Sequence, residues 1–224
     1  GITATSLLYR FLVKMGARVS YYIPERQSEG YGLNLEALEH IISDGASLVI
    51  TVDCGISSYD IVEAVCDRID IIITDHHTAP PQIPPARAVI NHKQPDCPYR
   101  DKNLSGVGVA FKLCQALWLR QCGEWYLDDL DIVALGTVAD VVPLVGENRI
   151  IVQAGLKKMN ELPNLGIDKL IDVAGLHDKT ITAGHIGFTL APRLNAAGRV
   201  THATRAVELL VTDDVDLAET IAQE

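Results

Sequence analysis

Two short apolar runs constrain this chain more than any other feature. Ser47-Leu48-Val49-Ile50-Thr51-Val52 and Ile69-Asp70-Ile71-Ile72-Ile73-Thr74 are nearly continuous in Val, Ile and Leu instead of alternating with polar residues. Such runs suit strands buried on both faces of a parallel sheet. Parallel neighbours need a crossover, and residues 57–69 supply one, with Ser57 or Ser58 as cap and Ile61, Val65 and Ile69 along one face. Two more strands are expected, Arg18-Val19-Ser20-Tyr21-Tyr22-Ile23 ahead of Pro24, and a short one at Ala88-Val89-Ile90-Asn91. Helical spacing covers 2–15, stopped by Gly16, and 35–42, with Asn34 as N-cap. The alternation predicts an α/β fold with a parallel, doubly wound (Rossmann-like) sheet.

From about Ser105 the pattern turns helical. Helices are expected over 105–119, 127–141 and 148–162, and shorter ones over 165–175, 183–191 and 203–211. No strand-like run of comparable length follows Asn91. The expected division is therefore an α/β part at 1–104 and a helical part at 105–224.

Composition narrows the function classes. The chain has 224 residues, and its 48% apolar content suffices for a sizeable core. No apolar run approaches the roughly 20 residues that span a membrane. Gly1-Ile2-Thr3-Ala4-Thr5 has neither a basic n-region nor a cleavage site, so no signal peptide is expected, and the missing Met suggests a fragment or processed chain. Five cysteines (Cys54, Cys66, Cys97, Cys114, Cys122) form no CxxC pair, which fits free thiols in a cytoplasmic protein and disfavours a zinc knuckle. The net charge of −10 argues against a broad nucleic-acid surface and agrees with carboxylates gathered around divalent cations.

Three places carry the chemistry. Asp53 follows the first apolar run, Asp75-His76-His77 follows the second, and Asp140 lies in the apolar stretch 135–143 with no Lys or Arg nearby. In open α/β sheets ligands gather at the carboxyl ends of strands. A carboxylate among apolar neighbours is costly unless it is paired, hydrogen-bonded or bound to a cation. Carboxylate with imidazole suits manganese or magnesium better than a structural zinc site, and two such ions are the usual arrangement for in-line phosphoryl hydrolysis. A fourth region, Pro192-Arg193-Leu194-Asn195-Ala196-Ala197-Gly198-Arg199, sets two arginines and an asparagine among small residues, suited to phosphate contacts. The Ser105-Gly106-Val107-Gly108 turn is a candidate phosphate cradle at a helix N-terminus.

The strings Val52-Asp53-Cys54-Gly55, Thr74-Asp75-His76-His77, Gly136-Thr137-Val138-Ala139-Asp140-Val141-Val142-Pro143-Leu144 and Pro192 to Arg199 resemble, in order and spacing, the motifs of DHH-family phosphoesterases. The last two are most similar to the family's single-strand-specific DNA exonucleases. The resemblance implies a two-ion Mn2+ or Mg2+ site. In it Asp53 bridges the ions, His76 and Asp140 ligate one of them, Asp75 orients the site and His77 faces the scissile phosphate. Arg193, Asn195 and Arg199, with Ser105 and Gly106, would line the nucleic acid. It further implies five-prime to three-prime digestion of single-stranded DNA in repair and recombination, with single-strand-binding protein as a partner. The family's first motif, an Asp-x-Asp string, does not occur in this sequence, nor do its DHH-associated and oligonucleotide-binding domains, so the chain alone is expected to be impaired. A small-substrate phosphoesterase of the same family and a non-catalytic scaffold are the alternatives. A nucleotide-binding dehydrogenase is disfavoured because no GxGxxG follows a strand.

Overall fold

The two apolar runs pair side by side. A computed structural model describes residues 1–24, 32–197 and 203–224. β1 (Leu48–Val52) and β2 (Asp70–Thr74) run parallel, with Leu48 opposite Asp70 and Val52 opposite Thr74. β3 (Ala88–Ile90) joins the far side of β2, also parallel, with Thr74 opposite Ile90, so the sheet order is β1-β2-β3. The ladder continues past the strand ends: Asp53 N donates to Thr74 O at 2.9 Å and Asp75 N to Ile90 O at 3.1 Å. The residues after all three strands are thereby tied together at one edge.

Both faces of the sheet are covered, as continuous apolar strands require. On one face Ile71 and Ile73 pack with Leu38 of α2 (Leu35–Ser43), Val62 of α3 (Tyr59–Glu63), and Val65 and Ile69 beyond it. Asn34 caps α2, its Oδ1 accepting from Ala37 N at 2.7 Å. On the other face Ile50, Val52 and Ile90 meet the main core.

That core is helical. α1 (Ile2–Lys14) packs against α4 (Gly106–Cys122), α5 (Leu130–Ala139) and α10 (Ala203–Val211). Early residues therefore lie among late ones: Ala4, Leu7 and Phe11 share a cluster with Phe111, Leu135 and Leu210. α5 is buried almost all round, from Asp131 through Thr137. It crosses α6 (Gly146–Glu161) at Gly155, where a Cβ would strike the Leu130 carbonyl. α7 (Leu165–Val173) and α11 (Val215–Gln223) close one side. A short α8 (Ala183–His185) runs through one π-turn, Ile186–Leu190, into α9 (Ala191–Ala197). Phe11 sits edge-on to Tyr126 with centroids 4.9 Å apart. The Tyr126 hydroxyl donates to Asp129, whose Oδ1 also accepts from Arg10 Nε at 2.9 Å. Among the described residues no helix is long and apolar enough to cross a membrane.

Two expectations are corrected. Residues 18–23 form no strand, since β-branched and aromatic composition makes a strand only where an edge is offered for pairing; Tyr21 instead packs edge-on to Tyr9 at 5.3 Å. The helix expected to reach Ile69 stops at Glu63. The chain continues as hydrogen-bonded turns, Val65 N to Val62 O and Arg68 N to Val65 O, which still bury Val65 and Ile69.

If α1 is a core element, Phe11→Ala lowers unfolding stability by about 3–5 kcal/mol, whereas Val13→Ala on the same helix's exposed side changes it by less than about 0.5 kcal/mol. Urea denaturation of the two variants checks this, and equal effects would remove α1 from the core.

Candidate metal centre

Asp53 takes the first position after β1 with φ of 62°, the left-handed region that Asp tolerates better than most side chains. The turn it makes sets its carboxylate against the first residue of α4. A Cβ on Gly106 would overlap Asp53 Oδ1, so only glycine permits this approach. The other oxygen, Oδ2, is ion-paired with the Gly1 ammonium.

Asp75, first after β2, is 1% exposed and serves the backbone. Its Oδ1 accepts from His76 N at 2.7 Å and His77 N at 3.2 Å, and it lies 2.6 Å from His77 Nδ1. Its Oδ2 accepts from Ile56 N at 3.0 Å, joining the β1 loop to the β2 loop. Asn91 Nδ2 donates to His77 O at 2.9 Å and adds the β3 loop.

His76 is the meeting point. It is 7% exposed, and its Nε2 lies 3.1 Å from Asp53 Oδ1 and 3.5 Å from Asp140 Oδ2. The His77 ring leans over it, centroids 4.5 Å apart at 58°. Asp140 is brought in by α5, whose last turn it closes. Val141 follows at φ 57° and is 88% exposed. A β-branched residue in that region costs roughly 1–2 kcal/mol, so the turn that sets Asp140 is strained.

The charges respond to this crowding. Burial would raise the Asp53 pKa, but His76 and the Gly1 ammonium outweigh it and hold the carboxyl below the usual range. Burial works against a charged His76, yet Asp53 and Asp140 raise its pKa. Asp140 is pushed up, chiefly by burial and also by Asp53, although His76 opposes the shift.

The donor set fits a hard divalent cation. Asp53, His76 and His77 each offer a ligand atom, all within 4.8 Å of one another. Neither ring nitrogen of the buried His76 makes a hydrogen bond, although two carboxylates stand beside Nε2. That is the expected state of an imidazole whose lone pair is directed at a cation shared with those carboxylates. No thiolate competes, because burial, Asp75 and Asp53 push the adjacent Cys54 thiol up to about 11. Carboxylate with imidazole suits manganese or magnesium.

The remaining candidate residues divide. Ser105 is buried and caps its own helix, accepting from Gly108 N at 3.1 Å while its Oγ lies 3.0 Å from Thr137 Oγ1. Gly106 is buried against Asp53. The Ser105 hydroxyl at this turn is therefore engaged within the fold. Arg193 and Asn195 lie exposed on α9, which packs against α5, with Arg193 Nη1 donating to Thr189 O at 3.1 Å. Arg199 lies outside the described residues. Sequence reasoning passed over His92, buried two residues beyond β3.

Known proteins resemble this chain along its whole length. The chain is 44% identical over 225 residues to the single-stranded-DNA-specific exonuclease RecJ of Bacillus subtilis, all of this chain matching 28% of that protein. It is 40% identical to RecJ of Escherichia coli, covering all of this chain and 41% of that one. A solved structure of exonuclease RecJ bound to manganese superposes with a TM-score of 0.91 at 35% identity, over all of this chain and 56% of the other. RecJ of Thermus thermophilus in complex with Mn2+ gives 0.85 at 34% identity, over all of this chain and 32% of that one. The chain thus spans well under half the length of these two bacterial relatives. The pattern of the DHH family, N-terminal domain, matches residues 1–137, more than half of the sequence, and the chain belongs to the DHH family.

Proposed function

We propose that this chain is the catalytic core of a metal-dependent exonuclease that digests single-stranded DNA from the five-prime end, in DNA repair and recombination in the cytoplasm. The observation that carries the reading is the convergence of Asp53, His76 and Asp140 on one point from β1, β2 and α5. The single-stranded-DNA-specific exonuclease activity of its relatives and the manganese in a solved relative support it.

Asp53, His76 and Asp140 would hold Mn2+ or Mg2+, with Asp53 shared between two ions. When bound, the ions neutralise the phosphodiester and support an in-line displacement by water. Asp75 keeps the three loops in register from beneath. Its contact with His77 Nδ1 fixes that ring beside the centre, where it can meet the scissile phosphate. Arg193, Asn195 and Arg199 would bind the strand's backbone, concentrating positive charge locally in a chain of net charge −10. The α/β part, 1–104, and the helical part, 105–224, act as one catalytic body, because Asp53 and His76 come from the first and Asp140 from the second.

Incubation with Mn2+ and end-labelled single-stranded DNA, duplex DNA and a dinucleotide tests this. Selective but slow shortening of the single strand is expected, the chain by itself being impaired, and Asp53→Asn should reduce it by at least about 100-fold, the upper end of what residues behind metal ligands contribute. Equal rates for the two proteins would overturn the assignment, and preference for the dinucleotide would point to a small-substrate phosphoesterase.

Gly106→Ala is a second test. Alanine favours a helix interior by about 1 kcal/mol over glycine, but here its methyl displaces the Asp53 carboxylate. Mn2+ affinity, measured by electron paramagnetic resonance, should fall about 10-fold or more while α4 stays folded by circular dichroism. Unchanged affinity would show that this packing does not set Asp53.

A further inference from the structure

Asn148 reverses the ordinary order of burial. In the first turn of α6 it is wholly buried, while Leu144, Val145 and Ile150 around it in sequence are exposed. Amide side chains are mostly left at the surface and large aliphatic ones inside. The reason lies in its donors: Nδ2 donates to Asn103 O at 2.7 Å and to Pro143 O at 3.0 Å. These bonds fix the orientation of the amide, because a flipped one would set Oδ1 against two carbonyls. Oδ1 is itself buried with no hydrogen bond, so the contribution of the side chain lies in its two donations.

The two carbonyls belong to segments that leave and enter the metal centre. Pro143 follows Asp140 after Val141 and Val142. Val141 is held at φ 57°, and Val142 precedes a proline, a place that favours extended backbone. The near end of this turn is anchored by α5, with Asp140 N donating to Gly136 O at 3.0 Å and Val141 N to Val138 O at 3.1 Å. Its far end is anchored by Asn148. Asn103 stands just before the start of α4, where Gly106 lies against the Asp53 carboxylate. The attachment is reciprocal. The N-cap of α6, Val145, makes no side-chain cap. Asp101 serves instead, its Oδ2 accepting from Glu147 N at 3.1 Å while its Oδ1 accepts from Asn103 N at 3.0 Å. Ser105 and Thr137 already join α4 to α5 ahead of Asp140, and Asn148 adds a hold on the turn after it.

We propose that Asn148 is a positioning residue of the metal centre: by tying the chain that leaves Asp140 to the chain that enters Gly106, it fixes the Asp140 carboxylate relative to that of Asp53. The purpose of the clamp rests on the metal-centre reading, but the clamp itself is a property of the metal-free fold.

The test uses Asn148→Ala and Asn148→Ser, the second keeping one donor, with Met159→Ala as a control that removes a buried core side chain from the same helix. Urea denaturation first establishes which variants unfold cooperatively, and N148S carries the comparison if N148A does not. Mn2+ affinity, measured by electron paramagnetic resonance, should fall about 10-fold in N148A, less in N148S, and stay within about 2-fold of the wild type in M159A. Val141→Gly relieves the left-handed turn and should return either Asn148 variant to within about 3-fold of the wild type, since a relaxed turn no longer needs holding. In the metal-free proteins, hydrogen exchange at the Val141 amide should quicken about 10-fold in N148A and not in M159A. Unchanged affinity and exchange in the Asn148 variants would overturn the proposal. So would an equal loss of affinity in M159A, or a loss that V141G does not relieve, either of which would reduce Asn148 to packing. A wild type that binds no Mn2+, with Val141 exchange still quickened in N148A, would overturn the metal centre and leave the clamp standing.

Discussion

Five paired residues of parallel ladder between β1 and β2 determine where the charges of this protein meet. Parallel strands end on the same side, so the first residue after each, Asp53 and Asp75, starts from the same edge. The hydrogen bonds from Asp53 N to Thr74 O and from Asp75 N to Ile90 O extend the ladder past its regular part and remove slack from the loops. An antiparallel pairing would carry the two loops to opposite ends and leave Asp53 and His76 a strand's length apart. The apolar sequence of both strands matters to function for this reason: burial on two faces is what selects the parallel arrangement.

On that edge two carboxylates act differently. Asp75, inside the fold, satisfies its oxygens with backbone N–H groups and a histidine, so its charge is neutralised locally and its role is geometric. Asp53 lies against α4 with a glycine giving way to it, and His76 is beside it. Asp140 arrives from a helix that is almost wholly buried and ends in a strained turn at Val141. Burial, strain and like charge all oppose gathering these groups. A divalent cation would offset these costs together, which is the physical argument for reading the cluster as a binding site and not as a structural ion-pair network.

Much of this was legible in the sequence because local signals coincide with tertiary ones. β1, β2 and β3 follow from their apolar runs, and the polar residues at their ends follow from where the runs stop. Asp140 was conspicuous as an uncompensated carboxylate, but its meeting with His76 depends on the packing of α5 against α1, α4 and α6, which no local pattern encodes. The segment 18–23 misled because strand propensity is a statement about packing surface, and pairing also needs an available edge. Ser105-Gly106 was legible only in part, because a glycine at a helix start serves equally for phosphate approach or for close side-chain approach, and the neighbour, Asp53, shows the second. His92 was overlooked because a lone histidine in a loop carries no pattern of its own.

Anomalous diffraction at the manganese edge, from crystals of this chain equilibrated with Mn2+, shows whether Asp53, His76 and Asp140 together hold a divalent ion. If they do, a peak lies within coordination distance, about 2.0–2.6 Å, of Asp53, His76 and Asp140. A peak located elsewhere, or ordered side chains at these three positions with none between them, would contradict a shared ion.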